Sequence, residues 1–83
     1  MIHFTERIPV QKRSLLFYFK REDLFGKKRY YVTTIDWHGK AHVFYLQESE
    51  DKWILDQANN HPPWATDLEE ELSNLIKSRS HLW

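Results

Sequence analysis

Cysteine is absent from the chain, and that one absence removes disulfide frameworks, thiolate zinc sites and cysteine nucleophiles together. Nothing then marks an oxidising compartment, and a cytoplasmic location is the expectation. Glycine is nearly as scarce: Gly26 and Gly39 are the only two, thirteen positions apart, so no glycine-rich loop is available to cradle a phosphate. No apolar run approaches the roughly 20 residues that a membrane helix needs. The first ten residues include Glu6 and Arg7 and lack an apolar run of signal-peptide length, so no membrane partner is expected. Charge of one sign is missing as well. Twelve Lys and Arg balance twelve Asp and Glu, which argues against a protein held to nucleic acid by bulk charge.

What is present is enough for one core. A chain of 83 residues buries only about 60 to 65% of the surface that its unfolded form exposes, which allows a single domain over residues 1–83 and no second. Phe, Trp and Tyr make up 16% of it, far from the aromatic-poor composition of disordered chains. The balanced charge is unevenly placed. Residues 1–40 hold nine Lys or Arg against four Asp or Glu, and residues 41–83 hold three against eight, so the halves carry +5 and −5. In a compact domain the simpler expectation is that the halves complement each other; the alternative is a basic surface with a partner.

The pattern along the chain is α+β. Residues 14–23 (SLLFYFKRED) form an aromatic and aliphatic run suited to a strand, and residues 30–35 (YYVTTI) are almost wholly β-branched or aromatic. Asp36, Trp37, His38 and Gly39 read as a hairpin loop. Residues 40–47 follow as a strand, residues 48–51 as a polar turn and residues 52–57 as a fourth, shorter strand. Connections this short permit only an antiparallel β-meander. Pro62 and Pro63 then break the chain, with Trp64 expected to plug the end of the core. Thr66 and Glu69 stand at capping-box spacing. Leu68, Leu72, Leu75 and Ile76 recur as one stripe of an amphipathic helix, with acids at its start and Lys77 and Arg79 near its end.

One helix can dress only one face of such a sheet, yet both faces carry apolar residues. Leu15, Phe17 and Phe19 alternate with Leu16 and Tyr18; Tyr31 and Ile35 alternate with Tyr30 and Val32; Phe44 and Leu46 alternate with Val43 and Tyr45. Something should cover the second face. The N-terminal segment, with Ile2, Phe4, Ile8 and Val10, is one candidate, either lying across the sheet or adding an edge strand, the only place Pro9 allows. A partner is the other, since exposed aromatic patches usually mark interfaces. Tyr18, Tyr30, Val32 and Tyr45 are the candidate partner-binding residues, and the partner is a second copy of the chain, as a homodimer, or another protein.

Other chemistry finds less support. His38 and His42 flank one turn without a third ligand spaced to complete a metal site, and Asp36 reads better as a turn residue bonding its own loop than as an acid or base. His3, His61 and His81 are expected to face solvent. No enzymatic activity and no cofactor is expected. The runner-up reading is nucleic-acid binding, in which Lys20, Arg21, Lys27, Lys28 and Arg29 interleave with aromatics at both ends of one hairpin, where bases stack on rings and cations meet phosphates.

Overall fold

The computed structural model describes residues 3–56 and 62–80. Five strands, β1 (His3–Val10), β2 (Arg13–Leu24), β3 (Lys27–Ile35), β4 (Ala41–Ser49) and β5 (Lys52–Leu55), are followed by α1 (Pro63–Asp67) and α2 (Glu69–Ser80). Each strand pairs antiparallel with its neighbours in sequence order. The result is an α+β fold with a meander-like, curled sheet of five strands where four were the core expectation. The N-terminal segment supplies the fifth, and Pro9 sits on this edge strand as its missing amide donor requires.

Tight turns explain why so few glycines suffice. Gln11 and Lys12 (φ 49° and 67°), Phe25 and Gly26 (φ 52° and 78°), and Glu50 (φ 55°) take left-handed conformations. Positive φ gives a hairpin turn the twist that matches its strands.

Alternation then sorts the side chains. Ile8, Val10, Leu15, Phe17, Phe19, Tyr30, Val32, Phe44, Leu46, Trp53 and Leu55 are all buried, and the register places them on one face: Phe19 opposite Val32, Val32 opposite Phe44, Tyr30 opposite Leu46, Leu46 opposite Leu55. The rings interlock, with Phe4 stacked on Phe19 at 4.5 Å and Tyr30 edge-on to Trp53 at 5.0 Å. The helical stripe closes this face through Leu68, Leu72 and Ile76, with Leu75 half-buried beside them. Trp64 packs at the end of the core, edge-on to Phe17 at 6.1 Å.

The helix begins differently from the capping-box expectation. Pro63 starts α1 behind Pro62, which makes no side-chain cap; proline is suited to the first helical turn because its φ is already helical and its missing donor would be unused there. Thr66 therefore lies within α1. Leu68 breaks the rise between α1 and α2, and the Glu69 carboxylate turns away to accept the backbone N–H of Leu55 at 2.9 Å. One turn later the Ser73 hydroxyl oxygen accepts the N–H of Trp53 at 2.9 Å. The two side chains satisfy amides of strand β5 on the side away from β4. At its other end α2 reaches β1, where Arg79 pairs with Glu6 and lies over the Phe4 ring. About 15 Å of helix from residue 69 to 79 thus links the two edges of the sheet. No helix among the described residues is long and apolar enough to cross a membrane.

Candidate interaction surface

The helix and the N-terminal strand cover the same face. Phe4, Ile8 and Val10 of β1 join the core, so the segment widens the sheet instead of lying across its outside; Ile2 falls outside the described residues. The outer face stays uncovered, and the register gives its layout. Thr5, Tyr18, Thr33 and Val43 form one row across β1 to β4, with Arg7 and Leu16 in the next row beside Ile35 and Ala41. Leu16 is 50% exposed, Ile35 63%, Val43 41% and Tyr18 38%. Together they make a contiguous apolar patch near the β3–β4 end of the sheet.

Toward the other end the outer face becomes amphipathic. Tyr31 stands directly opposite Tyr45, ring to ring at 5.4 Å. Arg29 lies 4.2 Å over the Tyr45 ring and pairs with Glu22 at 3.3 Å. His3, exposed as expected, stacks on Tyr18 at 5.9 Å.

Two of the four candidate partner-binding residues are misplaced by the sequence reading. Tyr18 and Tyr45 do stand on the outer face. Tyr30 and Val32 are fully buried under the helix, because even-numbered positions of β3 share a face with the odd-numbered positions of β2 that they oppose. The residues that replace them are Leu16, Ile35 and Val43, and the signal for them was the same alternation once one face is known.

The candidate nucleic-acid residues do not gather into one patch. Successive strand residues point to opposite faces, so Lys20, Lys27 and Arg29 stand on the outer side while Arg21 and Lys28 stand on the inner. Arg21 pairs with Asp23 at 3.3 Å and Arg29 with Glu22. Lys27 and Lys28 are exposed beside the turn at Phe25 and Gly26.

The β3–β4 loop holds a tightly bonded polar cluster. The Asp36 carboxylate accepts the backbone N–H groups of His38 and Lys40 at 2.8 and 3.0 Å through Oδ1, while Oδ2 meets His42 Nε2 at 2.7 Å. These hydrogen bonds, that to His42 foremost, hold its carboxyl at about 2, against an ordinary 3.8. Asp36 is the turn residue that the sequence suggested, and the imidazole it engages is His42 on β4, not the adjacent His38. His42 in turn stands edge-on to Trp64 at 5.3 Å, so the cluster ties the hairpin to α1. Every carboxylate oxygen here has a structural partner. Among the described residues no three His, Asp or Glu side chains come together as a metal site would need.

Compared with protein-family models, curated proteins and solved structures, the chain matches none of them significantly.

Proposed function

We propose that the protein is a non-enzymatic interaction module whose outer sheet face binds another protein surface, in the first instance a second copy of itself. The observation that carries this reading is the exposed patch of Leu16, Tyr18, Ile35 and Val43 on a face that neither the helix nor the N-terminal strand covers. Antiparallel sheets with one solvated face normally make that face polar, and apolar side chains gathered there gain free energy only by leaving water. Both sheet edges carry protective features, β5 the contacts of Glu69 and Ser73 and β1 the residues Pro9, Glu6 and Arg7, so the face is better suited than an edge strand to association. The cysteine-free composition fits work in a reducing compartment such as the cytoplasm. The nucleic-acid alternative has less support, since its cations divide between two faces and both arginines already hold carboxylates.

The test is the solution mass from micromolar to near-millimolar concentration, for the native chain and for a double variant carrying Leu16→Ser and Ile35→Ser. The native chain is expected to associate, and the variant to weaken the patch contact by roughly 1,000-fold or more, since a two-fold contact loses two apolar side chains from each copy at about 1 to 1.5 kcal/mol each. Identical mass curves for the two would overturn the reading.

A further inference from the structure

The β2–β3 hairpin ends in a feature that the outer patch does not use. Lys27 and Lys28, the first residues of β3, pair with β2 alone, since the pairing of β3 with β4 begins at Arg29. The hairpin therefore ends beyond the paired body of the sheet, and at its tip is Phe25, 95% exposed. Its neighbour Gly26 also has positive φ, the arrangement of a type I′ turn, whose first position favours Asn, Asp or Gly. Gln11, Lys12 and Glu50 accept the same backbone strain at other turns with side chains that water solvates. Among the described residues Phe25 alone combines that strain with an apolar ring in solvent, and it contributes nothing to the core of its own domain.

Beside the tip lies a depression lined by Gly26, Lys27, Lys28, Gln47, Glu48 and Ile54 among others. Its walls have opposite charge: Lys27 and Lys28 on the hairpin, and Glu48 on β4 next to Glu50 and Asp51 of the following turn. None of these five forms an ion pair within the described residues. A knob, a hollow, a basic wall and an acidic wall thus adjoin one another at one end of the molecule. That is the composition a two-fold contact requires, because an isologous interface sets each patch against its own copy.

We infer that the hairpin end is a second contact between copies of this chain, in which Phe25 of each copy seats in the other's depression and Lys27 and Lys28 face the partner copy's Glu48, Glu50 and Asp51. It adds to the self-association reading without depending on the outer patch. Ile35 is eight residues along β3 from Lys27, about 27 Å away, so the two contacts are separate, and together they build species larger than a dimer.

The experiment compares solution mass across the same concentration series for the native chain, for Phe25→Asn, for the Leu16→Ser and Ile35→Ser double variant, and for all three substitutions combined. Asn-Gly is a favoured pair for this turn, so Phe25→Asn keeps or raises the melting temperature and its mass reports association alone. The native chain is expected to exceed a dimer, each variant set to stop at a dimer, and the combination to stay monomeric. Lys27→Glu with Lys28→Glu is expected to weaken the tip contact at least tenfold, and Glu48→Lys with Glu50→Lys in the same chain to restore it. A Phe25→Asn curve that superimposes on the native one overturns the tip contact whatever the patch variant does. A patch variant that matches the native chain while Phe25→Asn loses mass overturns the patch and keeps the tip. A native chain that stays monomeric throughout overturns both.

Discussion

At the scale of single residues, Tyr30 shows how closely packing and polarity are balanced. Its ring is fully buried between Phe4 and Trp53, yet its hydroxyl has no hydrogen-bond partner among the described residues. A buried unpaired polar group costs about 1 to 3 kcal/mol. Tyr30→Phe should therefore stabilise the domain by roughly 1 kcal/mol, whereas Tyr30→Ser, which leaves a ring-sized void, should cost about 3 to 5 kcal/mol. Urea titration of both variants checks the pair of signs; a destabilised Phe variant would mean that the hydroxyl is satisfied in solution. Asp36 gives a pH signature. Its folded-state value of about 2 lies below the ordinary 3.8, so its contribution to stability is present above about pH 4 and is lost as pH falls through the folded value. Melting temperatures between pH 4 and pH 2 should fall more steeply for the native chain than for Asp36→Asn, which retains an acceptor for the loop amides but cannot titrate.

At the scale of elements, the helix does more than cover apolar surface. Ser73 and Glu69 act as the outer neighbours of β5, a strand of four residues that has one paired edge only. Ser73→Ala removes the acceptor of a buried amide, with an expected loss of about 1 to 2 kcal/mol. The denaturation midpoint should fall with an unchanged slope, and the amide of Trp53 should exchange faster while that of Val32 in the central strand does not. This contact was invisible in the sequence because Glu69 fits the capping box so well. Local spacing cannot report that Thr66 will be drawn inside a proline-started turn, nor that an amide fourteen residues earlier will claim the carboxylate. The strands were legible because their signals are local: β-branched and aromatic runs, polar turns, and Gly39 closing the Asp36 loop. The helical stripe was legible for the same reason. Which sheet face the stripe would choose was not, since Tyr18 and Tyr30 look equally fit for either side. The decision rests with the register, which sets Tyr30 opposite Leu46 and Tyr18 opposite Thr33. That Phe25 precedes Gly26 is plain in the sequence, but its place at a hairpin tip and its exposure needed the fold.

At the scale of the whole molecule, the ion pairs among the described residues do little to join the two charge halves, against the first expectation. The Arg21–Asp23 and Arg29–Glu22 pairs both lie within the basic half, and the one arginine pair that crosses among the described residues, Arg79 with Glu6, draws its cation from the acidic half. Basic residues therefore stay concentrated on β1 to β3, and acids on the β4–β5 turn and the first turn of α2. A molecule with zero net charge but separated signs repels its copies little and favours arrangements that set basic flank against acidic flank. Salt then separates the two contacts. The outer patch is apolar and should be indifferent to ionic strength, or slightly strengthened, while rim charges at the hairpin end are screened once the Debye length shrinks from about 10 Å at 0.1 M toward 3 Å at 1 M. Raising salt across that range should reduce the native chain to the mass of the Phe25→Asn variant and leave the variant's own mass unchanged. A native assembly that keeps its full mass at high salt would mean that Phe25 holds the contact without its charged rim, and a variant that dissociates with salt would mean that the patch is not the apolar interface proposed.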